Sequence, residues 1–351
     1  MPRRSRAGHS LVLLLPLLLL VGCGGAGAPE RELQLSGRTM GTSWSVRVAA
    51  PPETLREAAL QARIEERLAE INALMSTWDP DSQLSRFNRA PPGDWFPVDA
   101  ELVTVLAAAQ EIAEASDGAF DVTVGPLVDL WGFGAGAEVE ADAVPAPEAV
   151  EAARARVGYR RLELREAPPA LRKTAPLEVD LSSIAKGHAV DALAAVLKDA
   201  GAERFLAEIG GELRAEGANA RGVPWRIGIE VPDPTRRGVA REAIGLSGTA
   251  VATSGDYRNF FTVDGTRYSH TIDPATGRPV VHRVASVTVL HPEAMWADGW
   301  ATALNVLGAE RGLALADEQG LAVSFILYDE DGGLAERGNA AFERHRNGTS
   351  P

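Results

Sequence analysis

The sequence predicts one α+β domain in two lobes, built on a mixed, largely antiparallel sheet with flanking helices. Three observations predict it. Helix-periodic and strand-periodic stretches are interleaved along the chain, with no internal repeat and no linker long enough to split it. Strand signals dominate from 205 to 272. The clearest local signal is a hairpin, because Asp264-Gly265 separates two strand-like runs, and that dipeptide favours a tight turn with positive φ at both positions. The expected boundaries are 1–22 for an export signal, 23–32 for a tether, 33–336 for the domain and 337–351 for a disordered tail.

Each element has its own reason. Arg3, Arg4 and Arg6 precede the apolar stretch Leu11 to Leu20, which is too short and too poorly flanked to cross a bilayer. Cys23, the single cysteine, follows in Leu20-Val-Gly-Cys and resembles a bacterial lipobox cysteine, the alternative being an ordinary signal with a chance cysteine. Lipidation there predicts a cell-envelope protein on the periplasmic side, held to its membrane by the lipid anchor alone. With no disulfide possible, burial must stabilise the fold, and 45% hydrophobic residues suffice for that. The formal net charge is −13, and losing the three signal arginines takes it to −16. Such acidity argues against nucleic acid. Any anionic substrate must then rely on a metal, helix termini or isolated cations.

Within the domain, Leu33 to Ala49 alternates as two strands around Gly41. Leu60, Ile64, Leu68 and Ile71 recur at helical spacing within Glu53 to Leu74. A turn-rich run from Met75 to Asn88 follows, then a helix from Ala100 to Ser116 stopped by Asp117-Gly118, then a glycine-rich loop reaching Ala137. Leu177 to Leu181 reads as a short strand that turns into a helix at Ser182-Ser183. In the hairpin, period-two alternation places Tyr268, His270 and Ile272 on one face, and Asp273 to Pro279 stops the strand. A strand from Ala285 to Leu290, helices from Met295 to Leu307 and Glu310 to Glu318, and a last strand from Ala322 to Tyr328 complete the pattern.

Two stretches carry the chemistry. Asp298 and Thr302 stand four residues apart, so a helix puts their oxygens one turn apart on one face. The helix start at Ser182-Ser183 offers backbone N–H groups, small hydroxyls and one cation, Lys186. An oxygen-ligand metal site beside a helix N-terminus suits a pyrophosphate, and magnesium needs only one or two carboxylates. Each signal has a plainer reading: a solvated lysine, a Thr bonding its own helix, Asp180 as an N-cap, His270 as a structural histidine. Trp78, in a polar turn, fits a core anchor or a ring-stacking platform. Gly132-Phe-Gly-Ala-Gly136 lacks the third glycine of a dinucleotide loop, and there is no Walker A loop, His-Glu-x-x-His, Cys/His zinc set or Gly-x-Ser-x-Gly.

Taken in order, several segments resemble the ApbE family of FAD:protein FMN transferases. They are Thr39-Met-Gly-Thr-Ser-Trp44, Met75-Ser-Thr-Trp-Asp79 with Ser85-Arg-Phe-Asn88, Phe120-Asp-Val-Thr-Val-Gly-Pro126, Val179 to Asp191, Glu208-Ile-Gly-Gly-Glu212, Val251 to Asp256, His270 to Pro279, and Ala297-Asp298 with Thr302. The resemblance implies an ApbE-like (T-fold-like) domain. It implies FAD contacts at Met40, Trp78, Ala119, Phe120, Asp121, Asp180, Lys186 and Ile272. It implies magnesium ligands at Ser183 (through its carbonyl), Asp298 and Thr302, and a catalytic His270. The implied reaction transfers FMN from FAD to a Thr or Ser hydroxyl of an envelope redox protein, releasing AMP. Acceptors would be membrane redox complex subunits carrying a Ser/Thr-Gly-Ala-Ser/Thr motif. The alternatives are an FAD pyrophosphatase giving FMN and AMP, and a flavin-binding lipoprotein without turnover.

Overall fold

The computed structural model describes residues 30–134, 144–233, 239–255, 259–331 and 333–346. The expected signal, Cys23 and most of the tether lie outside these residues. The tether's last residues are pinned instead: the Glu30 amide donates to the Ala220 carbonyl at 2.9 Å, and Glu30 pairs with Arg204. No helix among the described residues is long and apolar enough to cross a membrane.

The backbone of the molecule is an eight-stranded sheet whose strands lie side by side in chain order. They are β1 (Glu32–Thr39), β2 (Thr42–Ala49), β3 (Phe205–Ile209), β4 (Glu212–Glu216), β5 (Thr249–Gly255), β6 (Val284–His291), β7 (Ala322–Tyr328) and β8 (Leu334–Gly338). Every pairing in it is antiparallel, so the expectation of a mixed sheet resolves to an antiparallel one. Strands near the centre are covered on both faces, which is why β6 and β7 read as almost unbroken apolar runs.

Apart from one C-terminal helix, the other described elements are inserted between consecutive strands. Between β2 and β3 come α1 (Glu57–Met75), α2 (Gln83–Arg89), α3 (Ala100–Ala115), α4 (Gly125–Leu130), α5 (Pro147–Arg154) and α6 (Ala185–Asp199). Between β6 and β7 runs α7 (Ala294–Glu318), and α8 (Ala340–Arg346) follows β8. α1 buries Leu60, Ile64, Leu68, Ile71 and Met75, the stripe its spacing predicts. α3 begins where the Asp99 side chain accepts the Glu101 amide at 2.8 Å. α7 is two helices joined at Gly308, whose φ of 75° and ψ of 171° only glycine adopts easily; the expected break after Leu307 is there.

One sheet face is covered by α1, α6 and α7, with α3 packed on α7 behind them. The other is covered by the hairpin Trp225–Glu230/Ala240–Leu246 and by α8. A third, smaller cluster joins α4 and α5 to the hairpin Phe260–Val263/Thr266–Ser269, forming the small lobe.

Four expectations need correction. Residues 337–346 are not a disordered tail: they end β8 and form α8, because Asn339 Oδ1 accepts the Phe342 amide and Phe342 is fully buried. The loop expected from 119 contains α4, started by Pro126 in its first turn. Leu177–Leu181 is extended but joins no ladder; Val179 exchanges both backbone bonds with the Asn88 side chain. The hairpin strand ends at Ser269, because Ser269 Oγ accepts the Thr271 amide at 3.1 Å, and Ile272 starts a separate short pairing with Pro279.

Candidate active site at the α6–α7 junction

Two carboxylates tie α6 and α7 together reciprocally. Asp191 of α6 accepts the Ala294 amide at 3.0 Å and the Met295 amide at 2.9 Å, capping α7 from outside its own sequence. Asp298 of α7 accepts the Gly187 amide at 2.9 Å, capping α6 in return. Gly187 permits the approach: a Cβ there would lie 2.2 Å from the Ala294 carbonyl oxygen. One backbone group nearby is open. Ser183 lies in the turn before α6, outside the helix ladder, and its carbonyl accepts no hydrogen bond among the described residues.

The helix starts later than the sequence suggests. Asp180 Oδ1 accepts the Ser182 amide at 2.8 Å, residues 182–184 form a turn, and α6 begins at Ala185. The amides of Ile184 and Ala185 both bond the Leu181 carbonyl, so the expected row of free N–H groups is partly spent.

Charge is concentrated here. Lys186 Nζ lies 2.8 Å from Glu212 Oε1 and 3.8 Å from Asp298 Oδ1, and both carboxylates are buried. Burial works against the Lys186 ammonium, but Asp298 and Glu212 outweigh it and hold its pKa above the ordinary value. Burial pushes both carboxyls up, against the pull of Lys186. Two buried carboxylates share one ammonium, and Glu212 Oε2 has no partner among the described residues. The site therefore has room in its charge balance for a cation. Thr302, half-buried one turn beyond Asp298, makes no hydrogen bond through its hydroxyl among the described residues. The open Ser183 carbonyl, Asp298 and Thr302 are an oxygen donor set of the kind magnesium takes. No cluster of three or more His, Cys, Asp and Glu is arranged for a metal among the described residues.

Beside this junction opens a cleft of about 750 Å³ lined by Met40, Trp78, Asp180, Ser182 and Lys186. Met40 and Gly41 form the β1–β2 turn with φ of 47° and 71°, and Asn72 of α1 fastens it by donating to Thr39 Oγ1 at 3.0 Å. Trp78 is 75% exposed. Its turn is rigid nonetheless: Ser76 Oγ accepts the amides of Trp78 and Asp79, while Ser82 and Ser85 donate to the Ser76 carbonyl. A large ring held out over a cleft by a locked turn is no core anchor, and its face is open to stacking.

The remaining expected residues divide. The Asp180 amide donates to the Val122 carbonyl at 2.7 Å, so residues 119–122 run beside the cleft wall. Phe120 itself is buried in the main core, and Asp121 is occupied by Thr123 and by the Tyr159 amide, which leaves only backbone from that segment for a ligand. Asp121 faces a second cavity of about 480 Å³ with Tyr159, Arg160 and Arg161. Ile272 is buried in the small lobe. His270 follows the hairpin, with Nδ1 3.1 Å from the Asn259 carbonyl oxygen. A carbonyl only accepts, so Nδ1 carries the hydrogen and Nε2 keeps its lone pair. Burial, followed by the nearby Lys186 charge, lowers the His270 pKa below its usual value. Rings carry the hairpin: Trp131, Tyr268, Phe261 and Phe133 stack in turn at 5.2–5.6 Å, and Phe133 meets His270 edge-on at 6.2 Å.

Sequence reasoning missed the roles of Glu212 and Asp191, although both stand in segments it singled out. Their partners are distant in sequence, and Asp191 lies in the middle of α6, where no local signal marks it as a cap for another helix.

The ApbE family profile matches residues 40–325. The FAD:protein FMN transferase of Vibrio cholerae is 47% identical over 323 residues, covering 92% of this chain and 94% of that protein. That of Escherichia coli K12 is 37% identical over 329 residues, covering 92% and 93%. The solved flavin transferase ApbE from V. cholerae superposes with a TM-score of 0.83 at 44% identity, over 90% of this chain and all of that one. The apo Pseudomonas stutzeri flavinyl transferase ApbE gives 0.83 at 38% identity, over 92% and 99%.

Proposed function

The chain belongs to the ApbE family and is a flavin transferase, and on that premise we propose how its own residues carry the transfer of FMN from FAD to protein. The donor FAD lies in the cleft with a ring on Trp78 and its pyrophosphate toward Lys186. A Ser or Thr hydroxyl of the acceptor attacks the FMN-side phosphorus, the P–O bond to AMP breaks, and a phosphoester forms. His270 Nε2 takes the hydroxyl proton. Ser183, Asp298 and Thr302 would hold a magnesium ion, which supplies screening of the pyrophosphate charge. The chain otherwise contributes positioning: the reciprocal caps fix α6 against α7, and the locked turn fixes Trp78.

The observation that supports this reading is the pair of buried carboxylates, Asp298 and Glu212, sharing the one Lys186 ammonium at the edge of the cleft, with the Ser183 carbonyl open in the turn before α6. We also propose a lipid anchor at Cys23 on the periplasmic side, with membrane redox subunits bearing a Ser/Thr-Gly-Ala-Ser/Thr motif as acceptors. The test combines a soluble chain starting after Cys23 with FAD, magnesium and a protein bearing Ser-Gly-Ala-Thr, read by acceptor mass and AMP release. An acceptor heavier by one FMN, with matching AMP, is the expected result. AMP and free FMN with an unmodified acceptor would instead make the protein a pyrophosphatase.

A further inference from the structure

We propose that Glu212 is a positioning residue for the metal site: it holds the Lys186 ammonium off Asp298 and so keeps the one unspent Asp298 oxygen open to a cation. The proposal rests on the reading of Asp298 as a magnesium ligand. It adds to that reading what keeps the ligand available when a lysine stands beside it.

The two oxygens of Asp298 are not equivalent. Oδ2 accepts the Gly187 amide at 2.9 Å and is committed to capping α6. Oδ1 accepts no hydrogen bond among the described residues, and the cation facing it is Lys186 Nζ at 3.8 Å. Oδ1 is therefore the oxygen a metal ion can take without disturbing the cap. An ammonium on a flexible four-carbon stem needs only a short swing from 3.8 Å to make a direct ion pair there. Once on Oδ1, it competes with the metal ion for the same lone pairs.

What restrains the ammonium lies on its other side. Two carboxylates around one lysine can share it equally, but here Nζ stands 2.8 Å from Glu212 Oε1 against 3.8 Å from Asp298 Oδ1. Glu212 is a firm post. It opens β4 opposite Ile209, across the Gly210-Gly211 turn with φ of 61° and 106°, and the Gly210 amide donates to the Ser43 carbonyl of β2 at 3.1 Å. The lysine stem runs along this turn, since a Cβ on Gly210 would lie 3.5 Å from Lys186 Cδ. Glu212 is buried and its Oε2 has no partner among the described residues, so this carboxylate depends on the ammonium to offset its own burial. The same hold leaves Lys186 on the cleft wall, where the donor phosphates are placed.

The test reads metal binding rather than turnover. Mn2+ alone is titrated into the chain without FAD, and the free ion is followed by its electron paramagnetic resonance signal. Glu212→Gln, which keeps the shape and removes the charge, should weaken Mn2+ binding about tenfold or more, as Lys186 falls onto Oδ1. Adding Lys186→Met to Glu212→Gln should restore the affinity of the unmodified chain, because no ammonium is left to occupy that oxygen. A merely structural role for Glu212 predicts no such rescue. Unaltered Mn2+ affinity in Glu212→Gln overturns the proposal, and so does a loss that persists in the double variant. Asp298→Ala separates this proposal from the reading beneath it. Equal Mn2+ binding by Asp298→Ala and the unmodified chain would fault the ligand assignment and bring both down. Binding that needs Asp298 but is indifferent to Glu212 would sink the proposal alone.

Discussion

The two sides of the reaction are held in place by different physics. At the α6–α7 junction, carboxylates cap the partner's helix and a glycine lets the backbones meet. Around His270, a hairpin is steadied by stacked rings and one carbonyl. Backbone hydrogen bonds fix position within tenths of an ångström and fail abruptly, whereas ring stacks yield gradually. On the proposed reading, the donor phosphates meet a rigid wall and the acceptor a more adjustable one. That division suits a small invariant donor and a polypeptide acceptor.

The largest effect should come from the rigid side. Asp298→Ala removes a proposed metal ligand and the α6 cap together; turnover should fall by about 10³-fold or more. Stability should fall by about 1 kcal/mol for the lost cap, read as a shift in the thermal midpoint. Near-native turnover with an unchanged magnesium requirement would remove Asp298 from the ligand set. Gly187→Ala forces the helices apart and should cost about 1–3 kcal/mol on denaturation, with activity falling even where the chain remains folded.

On the hairpin side, His270→Gln should lower kcat by about 10²–10⁴-fold while leaving FAD affinity intact. Its pH profile sharpens the contrast. Burial lowers the His270 pKa, so the neutral base persists to lower pH, and activity is lost only as pH falls through that depressed value. The acidic limb of kcat/KM should therefore lie below pH 6.5 and be absent in His270→Gln. Phe133→Ala, which opens one side of the ring to water, should cost only several-fold in rate and move that limb back toward ordinary histidine. A loss as large as that of His270→Gln would mean that the stack is as brittle as the junction.

Local signals were legible in the sequence because their physics is local. The stripe of α1, the Asp264-Gly265 turn (φ of 49° and 78°) and the break at Gly308 each depend on neighbouring residues. Met40, Trp78, Asp180 and Lys186 were assembled by ordered motifs, and the fold brings them to one cleft. The reciprocal caps could not be read, because Asp298 serves a helix that starts more than a hundred residues earlier, as the sequence separation of 111 shows. α8 was hidden for a different reason: its single buried anchor, Phe342, sets up no periodicity, and its cap, Asn339, is as common in loops.

The chain-ordered sheet has an engineering consequence. Each excursion leaves one strand and returns on its immediate neighbour, so its two ends are always a strand spacing apart. The segment between β5 and β6 can thus change length without re-registering any strand of the main sheet. A graft between relatives must nonetheless carry its neighbours, since the hairpin leans on Trp131 and Phe133 of the β2–β3 excursion and Asp191 and Asp298 each complete the other's helix.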